Sequence, residues 1–202
     1  MVVPPTHRRE SRATVLSKDE LRRALRTTRQ NVETALKNAF WTHAPARPVL
    51  GLIQAESIVG YYYPLGSEVD PLPLHELAGG RAALPWISGR NGEMMFRTWQ
   101  PGQTLEKSAF GFIQPRVDAK IVVPDIIIAP MVGFDRALDR IGQGAGHYDR
   151  FFAKHPGAFR IGVAFACQES NALAADLWDI QLDAIITERE FITAPHSRIG
   201  QS

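Results

Sequence analysis

The chain has 202 residues, of which 45% are hydrophobic and 22% charged, and a net charge of +2, which fits one ordinary soluble globular domain with a sizeable core. No stretch approaches the roughly 18 consecutive apolar residues of a membrane-spanning helix. One cysteine, Cys167, excludes an internal disulfide framework and a thiolate zinc cluster, and makes a reducing cytoplasm the natural compartment.

Residues 1–16, with Pro4, Pro5 and several basic side chains, read as a disordered tail. Ser17 and Glu20 then form a capping box, and Leu21, Leu25, Val32, Ala35, Leu36, Ala39 and Phe40 recur at helical spacing, predicting a helix to about Trp41. Arg8, Arg9, Arg12, Lys18, Arg22, Arg23, Arg26 and Arg29 crowd this end, mostly off the apolar stripe. Such a face suits a phosphate-bearing ligand, a nucleic acid or an anionic surface; its plain reading is a solvated helix face.

Further along, a strand is predicted over 58–63, stopped by Pro64, and a short helix over 70–78, stopped by Gly79 and Gly80. Strands follow over 81–87 and 94–99. The near-continuous apolar run 121–129 suits a strand covered on both faces. A helix over 148–154, a strand over 160–166, a short helix over 173–177 and a last strand over 184–187 complete the pattern. Alternation of this kind implies one layered α/β domain with a mostly parallel sheet; there is no repeat and no dividing linker.

Chemistry concentrates after the apolar run. Phe134 and Asp135 lead to Arg140, then to Gly142, Gly144 and Gly146, then directly to a helix. Beyond the carboxyl end of a buried strand, such a loop lets backbone amides approach an anion, and Arg140 and Arg150 add fixed cations. The spacing matches neither the Walker loop nor the dinucleotide fingerprint. The six histidines have no metal-ligand spacing.

The run Gly142, Gly144, Gly146, Tyr148, Asp149, Arg150, preceded by Phe134-Asp135 and Arg140, resembles the signature of the 5-formyltetrahydrofolate cyclo-ligases. Lys18 with Arg22, Tyr63-Pro64 with Glu68 to Asp70, the 161–165 strand with Gln168, and Asp179 with 183–188 extend the match. Together the matches cover about 17–191, leaving 192–202 as a C-terminal tail. The resemblance implies a three-layer α/β/α fold akin to ribose-5-phosphate isomerase and CoA-transferases. It also implies an enzyme using ATP and Mg2+ to turn 5-formyltetrahydrofolate into the 5,10-methenyl form.

By that resemblance Lys18, Arg22, Arg140 and the loop Gly142, Gln143, Gly144, Ala145, Gly146, His147 and Tyr148 hold ATP, Arg140 also serving catalysis. Glu68 accepts from the pterin N–H groups, Gln143 also binds substrate and Tyr63 and Trp99 are apolar walls; Asp149 and Asp179 bind magnesium. The sequence departs from the family pattern at Ala145 and Leu138, where glycine is usual, at His147, where tyrosine is usual, and at Trp178, where histidine is common. Those departures motivate a second reading, a catalytically weak paralogue that binds folate or nucleotide. A third, nucleic-acid binding through the first helix, lacks any recognised reading module. The expected partner is a small-molecule folate, with no nucleic acid or membrane, and the expected state a cytoplasmic monomer.

Overall fold

A computed structural model describes residues 16–89, 92–109, 111–171 and 173–194. The capping box opens helix α1 (Lys18–Gln30): the Ser17 hydroxyl accepts from the Glu20 amide while the Glu20 carboxylate accepts from the Ser17 amide. The single helix expected to Trp41 is instead α1 followed by three short ones, α2 (Thr34–Asn38), α3 (Phe40–His43) and α4 (Arg47–Leu52). The break has a local cause. The hydroxyls of Thr27 and Thr28 turn back onto the carbonyls of Arg23 and Ala24, and the Asn31 amide is shared between the Thr27 and Thr28 carbonyls.

The chain continues as β1 (Ile58–Gly60), α5 (Leu72–Ala78), β2 (Arg81–Ile87), β3 (Met94–Trp99), β4 (Leu105–Lys107), β5 (Ile113–Pro115), β6 (Ile121–Val122) and β7 (Ile126–Pro130). Then come β8 (Gly133–Phe134), β9 (Arg140–Ile141), α6 (His147–Lys154), β10 (Phe159–Val163), β11 (Ala184–Ile186) and β12 (Phe191–Thr193). The main sheet has the order β12-β11-β10-β7-β1-β2-β3-β6. Its centre, β11-β10-β7-β1-β2, is parallel, and β3, β6 and β12 enter through antiparallel pairings at the edges.

The strand expected over 121–129 divides at Pro124. Its first part pairs with β3 at the sheet edge and its second becomes the central strand β7. Within β7, Ile126 and Ile128 join a cluster with Phe40, Val49 and Leu74 from α3, α4 and α5. Ile127 and Ala129 join the opposite cluster, with Phe151 and Phe152 from α6. A central strand thus buries both faces, which explains its unbroken apolar sequence.

Three further expectations are corrected. Strand pairing after β1 ends one bond beyond Gly60, where the Tyr61 amide reaches the Ala83 carbonyl. The helix expected over 173–177 is absent, because the Leu173 amide donates to Asp135 and the Asp176 amide to Asp179 rather than to helical carbonyls. The sheet also runs past the expected domain boundary at 191, since β12 pairs with β11.

Candidate active site

A cleft of about 390 Å³ opens beyond the carboxyl ends of β1, β2 and β7, the usual ligand position in a parallel sheet. One wall is apolar: Tyr63, Pro85, Ile87, Met94, Phe112 and Ile113. The opposite wall is the loop 142–149 with the start of α1. Gly133 sets α1 in place, for a Cβ there would lie 2.3 Å from the Leu25 side chain.

That docking turns the cations of α1 inward. Lys18, Arg22 and Arg26, spaced four apart, form one ridge. Lys18 Nζ bonds Asp176 Oδ2 at 2.6 Å and Asp179 Oδ2 at 2.7 Å; Arg22 Nε donates to the Gly142 carbonyl at 3.0 Å. Arg26 donates twice to Gln143 Oε1, at 3.0 and 2.6 Å. The plain reading of a solvated basic face is therefore corrected for this ridge. Burial pushes the Lys18 ammonium down, but its bonds to Asp176 and Asp179 outweigh this and hold it above its ordinary value. Burial likewise raises the Asp179 carboxyl, and the Lys18 bond and the Asp176 amide pull it below the usual aspartate range.

The glycine loop needs glycine at two places: Gly144 has φ 103° and Gly146, the N-cap of α6, has φ 63°. Ala145 avoids positive φ, so its methyl is compatible with the turn. Leu138 does not: it holds φ 69°, the only non-glycine residue among those described to do so. Its turn is held by Asp135, whose Oδ1 accepts from the Ala137 and Asp139 amides. Arg140 emerges from this turn with its side chain 4% exposed, and Nη2 bonds Asp149 Oδ1 at 2.7 Å. Its Nε and the Tyr148 hydroxyl are buried without a partner among the described residues. Burial pushes the Tyr148 phenol up, so it stays protonated. Arg150 Nη2 lies 3.0 Å from His147 Nδ1.

Across the cleft Glu68 is 4% exposed at its side chain. Its Oε2 accepts from the Leu65 amide at 3.0 Å, and its Oε1 accepts from Gln143 Nε2 at 3.0 Å and lies 3.7 Å from Arg29 Nη1. Arg29, buried, also donates to Ser67 Oγ and the Met131 carbonyl.

Lys18, Arg22, Tyr63, Glu68, Arg140, Gly142 to Asp149 and Asp179 all line the one cleft. Trp99 does not: it is buried in the α3–α5 cluster, beside His75. Reasoning from sequence missed Tyr62, Phe112, Asp176 and Trp178, which line the cleft, and Arg26 and Arg29, which brace it. Among the described residues no three acidic, His or Cys side chains gather into a metal cage. Asp149, Asp176 and Asp179 are hard oxygen donors on the cleft wall, a set that suits a magnesium ion taking one or two carboxylates and completing its shell with phosphate oxygens. No helix among the described residues is long and apolar enough to cross a membrane.

Compared with known proteins, residues 14–188 match the model of the 5-formyltetrahydrofolate cyclo-ligase family. The 5-formyltetrahydrofolate cyclo-ligase of Escherichia coli is 32% identical over 139 residues, 64% of this chain and 76% of that protein. An NMR structure of Aquifex aeolicus 5,10-methenyltetrahydrofolate synthetase superposes with TM-score 0.72 at 28% identity, covering 91% of this chain and 95% of that one. The fold is shared with a Mycoplasma pneumoniae 5,10-methenyltetrahydrofolate synthetase at TM-score 0.66 and 22% identity, covering 86% of this chain and 100% of that one.

Proposed function

The chain belongs to the 5-formyltetrahydrofolate cyclo-ligase family, and we propose that it uses ATP to convert 5-formyltetrahydrofolate into 5,10-methenyltetrahydrofolate, releasing ADP and phosphate. The observation that carries this reading is the pairing, in one cleft, of an apolar wall and a buried carboxylate with a ridge of cations around a glycine loop. The apolar wall and Glu68 suit a flat heteroaromatic ring with N–H donors; Arg140, Lys18 and Arg22 suit a polyphosphate.

The formyl oxygen attacks the γ-phosphorus, forming an O–P bond as the bridge to ADP breaks. N10 then attacks the formyl carbon, phosphate leaves with the former formyl oxygen, and N10 loses its proton. Arg140, on the cleft wall, balances charge on the transferred group. Lys18 and Arg22 hold the remaining phosphates. The apolar wall excludes water that would otherwise intercept the phosphorylated formyl group. Asp149 and Asp179 would hold magnesium, which would supply charge neutralisation for the phosphates. No nucleophilic side chain is required. The negative φ of Ala145 removes one motive for a catalytically weak paralogue.

For the wider fold, we propose a likeness to ribose-5-phosphate isomerase and the CoA-transferases, a reading that the parallel centre of the sheet supports. We propose that the protein works as a cytoplasmic monomer; the free, exposed thiol of Cys167 supports a reducing compartment. The test of mechanism is isotopic. Substrate carrying ¹⁸O in the formyl group delivers that label to inorganic phosphate; label remaining in the folate, or lost to water, overturns the phosphorylation step.

A further inference from the structure

The geometry points to Gln143 as an internal gate that occupies the substrate carboxylate Glu68 until folate displaces it. The inference rests on the folate reading above and concerns how the substrate enters. Glu68 is the acceptor that a ring N–H would need, yet its Oε1 already accepts from the Gln143 amide nitrogen at 3.0 Å. An amide NH2 is chemically the same kind of donor as a ring amide or amino group. Glu68 Oε2 accepts from the Leu65 backbone, so Oε1 is the oxygen that faces exchange.

Gln143 is aimed rather than merely near. Its oxygen is clamped by two bonds from Arg26, at 3.0 and 2.6 Å, which turn the nitrogen toward Glu68. Gln143 lies between Gly142 and Gly144, in the loop that lines the phosphate side of the cleft, whereas Glu68 comes from the segment after β1. The bridge therefore ties the two sides of the cleft together. Behind Glu68, Arg29 stays in place at 3.7 Å and keeps the carboxylate paired and fixed when the amide leaves. Substrate binding exchanges one donor for another, so the gate lowers folate affinity while supplying Glu68 Oε1 with the hydrogen bond it would otherwise lack.

The test is equilibrium binding of 5-formyltetrahydrofolate, without ATP so that no turnover occurs, to the full chain and to Gln143→Ala and Gln143→Glu. Removing one competing hydrogen bond is expected to tighten binding on the order of 5-fold in Gln143→Ala. Gln143→Glu, which keeps the bonds to Arg26 and repels Glu68, is expected to do at least as much. Unchanged or weaker binding in both variants overturns the gate and leaves the folate reading standing. Absence of binding to the unaltered protein overturns the folate reading itself, and the gate with it.

Discussion

Arg140 commits Nη2 to Asp149 Oδ1 at 2.7 Å and leaves its buried Nε without a partner among the described residues. One nitrogen of the side chain is thus anchored while the residue lines the cleft, the arrangement a phosphate clamp needs. Arg140→Ala is expected to lower kcat/KM for ATP by about 10²–10³-fold, the range for losing a preorganised donor to developing charge. Arg140→Lys is expected to recover little, because an ammonium cannot reach Asp149 and a ligand in the same fork geometry. Steady-state kinetics check both; a lysine variant at full activity contradicts the clamp.

The Arg29–Glu68 pair carries a stability prediction. Both side chains are buried, at 6% and 4% exposure, so removing one leaves the other charge without its partner. Arg29→Ala is expected to cost about 3–5 kcal/mol in a denaturant melt, as for other broken buried pairs. An unchanged midpoint would show that Glu68 is held by its amide contacts alone.

Leu138 sets two effects against each other. Its φ of 69° is strained by roughly 1–2 kcal/mol, which glycine would relieve. Yet the side chain is 3% exposed in the core against α6, and losing such a leucine costs about 2–5 kcal/mol. Burial wins, so Leu138→Gly is expected to lower Tm despite the better backbone; a raised Tm would mean that strain dominates.

A pH prediction follows from Lys18 and Asp179. A depressed carboxyl stabilises above its unfolded value, near 3.8, and loses that contribution as pH falls through the lower folded value. The raised ammonium stabilises below 10.5 and loses its contribution as pH rises through the higher folded value. The tie between α1 and the segment carrying Trp178 is therefore whole from about pH 5 to about pH 9. The Trp178 indole NMR signal is expected to stay flat there and to shift outside it, in acid and in strong base. In Lys18→Ala its acid midpoint is expected to rise; an unmoved midpoint would show that Lys18 is not what lowers Asp179.

Much of the fold was legible. Strands β2 and β3 span the expected 81–87 and 94–99, and the Ser17–Glu20 box marks the start of α1. The end of that helix was not legible, since the apolar period continues through Val32 and Leu36 while threonine hydroxyls divert the backbone. The hairpin of β4 and β5 escaped notice because its strands are three residues each. Strand β5 nevertheless bears on the site, through Ile113 and Gln114 on the cleft wall.

For the cleft, glycine spacing and cations pointed to the 140–150 loop, while Lys18, Arg22, Glu68 and Asp179 came from the family resemblance. Arg29 looked like any other residue of the basic helix; what makes it different is Glu68, brought to it only by tertiary packing. Trp99 errs the other way. An aromatic residue at the end of a strand suits a ligand wall equally well, but the strand's alternation turns it to the face opposite Met94 and Phe96.

The most direct test is absorbance of the methenyl product when purified protein meets 5-formyltetrahydrofolate and magnesium, with and without ATP, the control being needed because acid alone can drive the cyclisation. Product that depends on ATP and matches ADP released one for one is the expected result. Folded protein that binds both ligands yet forms no product would contradict the account.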